Sequence, residues 1–178
     1  MPHSSDIQVV TRKIENADAF DRLFCANYAA LTRLIYRVVG DIGGAEKLAA
    51  EAFWKLHRNP PALDHNLVGW LYRTGLRLAL DNLKKRKRRV RYEALAPASG
   101  AMHSPEKALE QLEQQMQVRQ VLAVLRPAQA ALLVLRSEGY SLGEMASILY
   151  LNPSSVGTLL ARADMAFRKE YVNRYGER

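Results

Sequence analysis

The sequence predicts an all-α protein of two small helical domains joined by a flexible linker. Helix formers dominate, and only 10 Gly and 7 Pro interrupt 178 residues. Apolar residues recur at i, i+3, i+4 and i+7 over long stretches, with no strand pattern of useful length. That periodicity lapses over residues 92–104, where small residues gather around Pro97 and Gly100, and then resumes.

The elements follow in chain order. Phe20, Leu23, Phe24, Tyr28, Leu31, Leu34, Ile35 and Val38 make one stripe and predict a helix from Asp18 to about Val39, with Asn27 the one polar residue on it. Gly40 ends this helix, and Asp41 to Gly44 are expected to turn. A second helix is expected from Gly44 to His57, with Leu48, Ala52, Phe53 and Leu56 inward, before Asn59-Pro60-Pro61 breaks it. Asn66 suits the N-cap of a third helix from Leu67 to Arg91, whose candidate core residues are Trp70, Leu71, Leu78 and Leu83.

Ser104-Pro105-Glu106 opens the second half with a cap, a first-turn proline and an acid against the dipole. Helices are expected over 105–125, 128–138, 142–149 and 153–171. Ser141 with Glu144 forms a capping box, and Asn152-Pro153 starts the last helix. The domains are therefore placed at 1–91 and 105–178, with the linker at 92–104.

Composition narrows the function. The net charge of +8 fits a polyanionic partner. Residues 1–100 hold 17 Lys and Arg against 10 Asp and Glu, whereas residues 101–178 hold 9 against 8, so the attraction lies in the first half. Cys25 is the only cysteine, which excludes an internal disulfide and a multi-cysteine metal site; it is expected to be buried as a small apolar residue. No run approaches the roughly 20 apolar residues of a membrane span, and a cytoplasmic location is expected. The four His have no metal-ligand spacing, and there is no Gly-rich phosphate loop or nucleophile motif. The expectation is a protein that is not an enzyme and needs no cofactor.

Three constellations point to nucleic acid. A short helix, a tight turn at Tyr150-Leu151-Asn152 and a longer helix fit a helix-turn-helix, with Ala146 at the close crossing and Leu151 and Val156 in the junction. An ordinary helical hairpin would share this pattern. Lys84, Lys85, Arg86, Lys87, Arg88, Arg89 and Arg91 put seven cations in eight residues; they surround the helix, which suits phosphates and equally suits a solvated helix end. Trp70, Tyr72, Arg73 and Arg77 offer aromatic and guanidinium groups that stack on unpaired bases. Trp70 reads better as core, and Tyr72 and Arg73, off the apolar stripe, as contacts.

In this order and spacing, the features resemble the extracytoplasmic-function sigma factors of bacterial RNA polymerase from Phe20 to about Phe167. The resemblance implies a three-helix sigma-two-like bundle and a four-helix sigma-four-like helix-turn-helix domain. The stretch Ala45 to Leu56 looks like the segment that docks on the clamp coiled coil of the largest polymerase subunit, which implies Glu46, Leu48, Glu51, Ala52, Trp54 and Lys55 as polymerase contacts. Gly69-Trp70-Leu71-Tyr72-Arg73, Leu78 to Asp81 and the basic tail resemble the segment that melts and reads the minus-ten element. That implies Arg58, Asn59, Asn66, Trp70, Tyr72, Arg73, Arg77 and Lys84 to Arg89 as DNA contacts, with a flipped base received by the loop from His57 to Asn66. Leu125-Arg126-Pro127, Gly139-Tyr140-Ser141, Glu144-Met145-Ala146, Ser155-Val156 and Arg162-Ala163 resemble the domain that reads the minus-thirty-five element. There Ser141, Ser154, Ser155, Thr158 and Arg162 are the implied contacts. Core polymerase with its clamp and flap, promoter DNA, and an anti-sigma factor or other DNA-targeting protein are the implied partners.

The chain departs from the family pattern in places. Gly44 and Lys47 flank the Ala-Glu pair where acids are usual, Ala50 replaces a common Gln, and Leu76-Arg77 replaces Arg-Asn. Gly157 and Leu159 stand where the recognition helix often has Lys and Arg. Weak or unusual minus-thirty-five reading is the expectation. The alternatives are a free-standing DNA-binding regulator and a sigma-like interaction protein that has lost normal minus-thirty-five reading.

Overall fold

The structure is a computed structural model describing residues 4–61, 66–93 and 106–176, with side chains from 18 to 89 and from 110 onward. The described residues form helices α1 (Ser4–Val39), α2 (Ile42–Arg58), α3 (Leu67–Glu93), α4 (Glu106–Leu122), α5 (Pro127–Ser137), α6 (Leu142–Leu149) and α7 (Pro153–Tyr175). The all-α class is as the periodicity predicts. The expected Ser104-Pro105 start and most of the 92–104 linker lie outside the described residues.

Helices α1, α2 and α3 pack on one another as a bundle. Leu31, Leu34, Ile35 and Val38 of α1, Ala45, Ala49, Ala52 and Phe53 of α2, and Leu71, Leu76, Ala79 and Leu80 of α3 are buried together. The crossing of α1 and α3 is close because Gly75 lacks a side chain: a Cβ there would lie 2.7 Å from Leu31 Cδ1 and 3.2 Å from Ile35 Cδ1. Phe20, Phe24 and Tyr28 gather around Phe53, with ring centroids 4.8–6.2 Å apart.

Gly40, at φ +72°, terminates α1 in a conformation that an L side chain adopts at a cost. Arg86 donates from Nη1 to the Val39 carbonyl at 3.0 Å, and the Arg119 guanidinium lies over Gly40. Two cations thus meet the negative end of the α1 dipole. Burial holds Arg119 below its usual value, and the nearby Arg86 adds to this.

Several expectations are corrected. The Asp41–Gly44 turn is the first turn of α2: Asp41 Oδ2 accepts from the Gly44 N–H at 2.8 Å, so the glycines are helical. Cys25 is exposed: no described side chain of α1 before Leu31 is buried, and even Phe24 on the expected stripe is 36% exposed, whereas Thr32 and Val39, on the same side of the helix as Cys25, are buried further along. Tyr72 is 5% exposed instead of lying off the core, whereas Trp70 and Leu78 are only half-buried.

Helices α4 to α7 pack on one another as a second group and also against α1 and α3. Ser141 caps α6 in the expected capping box, and Asn152 caps α7 by accepting from the Ser154 N–H at 3.1 Å. Tyr150 closes α6 in the left-handed region at φ 54°. Ala146 and Val156 are buried at the α6–α7 crossing, and the Leu151 N–H donates to the Ala146 carbonyl at 2.9 Å. Contacts of α7 with α4 that the sequence could not reveal include the Tyr171 and Tyr175 hydroxyls, which donate to Gln117 Oε1 and Gln120 Oε1 of α4, each at 2.7 Å.

Candidate functional site

Two surfaces carry the polar and aromatic groups of the first unit. On α2 the 3.6-residue period divides the implied docking residues between a buried and an outward face. Leu48 and Ala52, implied above as polymerase contacts, are 7% and 0% exposed and belong to the bundle core. The outward face instead presents Ile42, Glu46, Lys47, Trp54 and Arg58, with Glu51 and Lys55 half-buried beside them. Trp54 is 55% exposed with the Arg58 guanidinium 4.9 Å above its ring, and Glu51 pairs with Lys55 at 3.5 Å. A large exposed ring held by a cation, on a helix with a complete core face, needs no fold-level partner and suits docking.

On α3 the N-cap Asn66 accepts from the Gly69 N–H at 2.9 Å, as its sequence position predicts. Arg77, Lys85 and Arg88 are exposed, and Lys84 and Lys87 are half-buried. Arg86 is engaged at the end of α1, which gives it a structural duty beside any phosphate contact. Asn59 is the C-cap of α2, its N–H donating to the Lys55 carbonyl at 2.9 Å. The loop expected to receive a flipped base is described only at 59–61 and 66.

The first turns of α3 meet the helix-turn-helix. Asn66 Nδ2 donates to Ser147 Oγ at 2.7 Å. Arg73 Nη1 donates to the Ile148 carbonyl at 3.3 Å, and its guanidinium lies 3.8 Å from the Tyr150 ring centroid. Tyr72 packs edge-on against Tyr140 at 6.1 Å. Burial first, and the Tyr72 hydroxyl second, push the Tyr140 phenol well above its ordinary value. Arg37 Nε pairs with Glu138 Oε1 at 2.6 Å. These partners lie 75 to 81 residues from Asn66 and Arg73 in the two long-range hydrogen bonds, so no local signal predicts them.

In the helix-turn-helix, Ser154, Gly157, Thr158 and Arg162 are exposed along α7, and Ser155 is half-buried. Ser141 and Ser154 spend their hydroxyls on capping, donating to Glu144 Oε2 at 2.7 Å and Asn152 Oδ1 at 2.8 Å. Leu159 packs against the core. An apolar residue there is a packing requirement, which accounts for one of the two missing cations.

The family model described as Sigma-70 region 2 matches residues 23–89, the span of about the second half of α1, all of α2 and most of α3. The ECF RNA polymerase sigma factor SigW of Bacillus subtilis is 30% identical over 166 residues, covering 86% of this chain and 89% of that protein. The chain belongs to the ECF sigma-factor family.

A shorter likeness joins this sigma factor to the probable ECF sigma factor SigI of Mycobacterium tuberculosis, 44% identical over 59 residues, or 33% of this chain and 20% of that one. In fold, it is similar to the sigma factor RpoE of Bartonella quintana in its complex with the anti-sigma factor NepR. The TM-score is 0.51 at 19% identity, over 85% of this chain and 96% of that one. A sigma factor is an initiation factor and not an enzyme. Among the described residues no helix is long and apolar enough to cross a membrane, and no cluster of His, Cys, Asp and Glu is arranged to hold a metal.

Proposed function

We propose that this sigma factor brings core RNA polymerase to promoters through the outer face of α2 and opens the minus-ten element with α3. The domains at 1–91 and 105–178 then act as separate readers. The observation that carries this reading is the division of labour between α2 and α3. The α2 helix completes the core yet leaves Trp54, Arg58 and Glu46 outward, while α3 ends in a cationic run that no apolar face could bury. Trp54 and its neighbours suit the clamp coiled coil. Arg77, Lys84, Lys85 and Arg88 suit phosphates, and Arg73 with Tyr72 suits an unpaired base.

Reading of the minus-thirty-five element through Ser155, Thr158 and Arg162 is proposed to be weak, since Leu159 is committed to packing and Gly157 offers no side chain. Run-off transcription with core enzyme tests the proposal, together with permanganate footprinting of the opened region. Transcripts and reactive thymines are expected only with the sigma factor present. A purified chain that neither binds core enzyme nor opens any promoter supplied refutes it.

A further inference from the structure

The groups proposed above to meet an unpaired base are already occupied. The Tyr150 ring lies on the Arg73 guanidinium at 3.8 Å, where a base would stack. The Ile148 carbonyl, at the negative end of the α6 dipole, accepts from the same guanidinium at 3.3 Å, where a phosphate or base oxygen would sit. Ser147 takes the Asn66 amide at 2.7 Å. A ring and two acceptor oxygens, one of them negatively polarised, are together what a nucleotide of single-stranded DNA presents.

Tyr150 is held for this in the left-handed region at φ 54°, the one non-glycine residue with positive φ among those described, a conformation that costs energy for a bulky side chain. The seam beneath carries part of the shared core and is flanked by two open grooves. One cavity of about 420 Å³ opens between α1 and α4–α5 beside Tyr36, Arg37 and Arg119. A second, also about 420 Å³, opens beside Leu34, Glu138 and Tyr140. The ion pair spanning the seam joins Arg37, largely in solvent, to the mostly buried Glu138.

We infer that the C-terminal end of α6, residues Ser147 to Tyr150, is a built-in mimic of single-stranded DNA that latches the two units closed over α3. The inference rests on the proposed role of α3 in the minus-ten element. In the closed chain, single strands must displace Tyr150 and Ile148 before they reach Arg73. Opening of the seam frees the exposed Asn66 amide and the half-buried Arg73 from their partners and uncovers the side of Tyr72 that faces Tyr140.

The test uses the full chain. Ser147→Ala with Tyr150→Asn removes the hydroxyl and the ring while leaving every α3 residue in place, and Asn tolerates the left-handed backbone. Affinity of this variant, without polymerase, for a fluorescently labelled oligothymidylate at fixed low salt is expected to rise about tenfold over the parent, equivalent to about 1.4 kcal/mol. In a second arm, Arg37→Cys and Glu138→Cys are joined by a cleavable bis-maleimide on a Cys25→Ser background, needed because Cys25 is exposed. The locked chain is expected to bind core enzyme yet give no run-off transcript until the linker is cut. Equal oligothymidylate affinity of variant and parent overturns the latch, as does full transcription by the locked chain. A parent holoenzyme that opens no promoter refutes the proposed function instead, and the oligothymidylate titration, which needs no promoter, still decides the latch.

Discussion

Gly75 and Gly157 both sit inside helices, and replacing each by Ala is expected to shift stability in opposite directions. Alanine gains about 1 kcal/mol over glycine in a helix interior by reducing the freedom of the unfolded chain. At Gly157 nothing lies within 4 Å of the added methyl, so Gly157→Ala should stabilise by about 0.5–1 kcal/mol. At Gly75 the methyl would fall 2.7 Å from Leu31 Cδ1 and 3.2 Å from Ile35 Cδ1. Both side chains are 0% exposed and have nowhere to move. Overpacking of this kind costs about 1–3 kcal/mol, which outweighs the helical gain and leaves a net loss of up to about 2 kcal/mol. The two variants should therefore differ by about 1–3 kcal/mol. In a chain of this size that separates their thermal midpoints by roughly 2–4 °C per kcal/mol. Urea and thermal unfolding followed by far-ultraviolet circular dichroism measure it. Stabilisation by Gly75→Ala as large as that by Gly157→Ala would refute the close α1–α3 crossing.

Other substitutions separate surface from core. Trp54→Ala should weaken binding to core polymerase at least tenfold, about 1.4 kcal/mol, while moving the thermal midpoint little because the ring is 55% exposed; unchanged affinity by fluorescence titration would remove α2 from the interface. Phe53→Ala, by contrast, should cost about 3–5 kcal/mol in urea unfolding, since its ring is 2% exposed and anchors the aromatic cluster on α1. Gly157→Lys should tighten binding to upstream promoter DNA and steepen its salt dependence by about one counterion, and a flat response would mean that this stretch of α7 does not approach the backbone. The Ser141 hydroxyl and N–H hold the Glu144 carboxyl below its ordinary 4.5. Because the folded value is depressed, that cap contributes fully above 4.5 and is lost as pH falls through the folded value. Glu144→Gln should therefore flatten the acid limb of the stability curve, and an unchanged limb in acid titration would contradict the capping box.

Each helix was legible in the sequence, because a 3.6-residue apolar period and a polar cap are both local, but α1 begins at Ser4 and not at the expected Asp18. Leu48, Ala52, Phe53 and Leu56 face inward as their spacing requires, and Ser141 with Glu144 and Asn66 cap where expected. Family membership was legible for the same reason, since it rests on ordered motifs. Local pattern also misled where one residue lies at the edge of a stripe. Tyr72 turned out buried, because a face some 100° wide has margins that only the packing partner assigns, and Cys25 turned out exposed, because the core reaches α1 only from Leu31 onward. Leu48 and Ala52 illustrate a related limit: a motif named for docking contains the residues that hold the docking helix in place.

Sequence alone thus determined the class, the seven helices, the cationic end of α3 and the two caps of the helix-turn-helix, all set by neighbours within about four positions. The tertiary structure alone decided what those groups touch. Arg86 goes to the end of α1, Leu159 to the core, and Arg73 and Asn66 to Ile148, Tyr150 and Ser147. Such partners are dozens of residues apart, and bringing them together depends on how whole helices pack, which no single segment encodes.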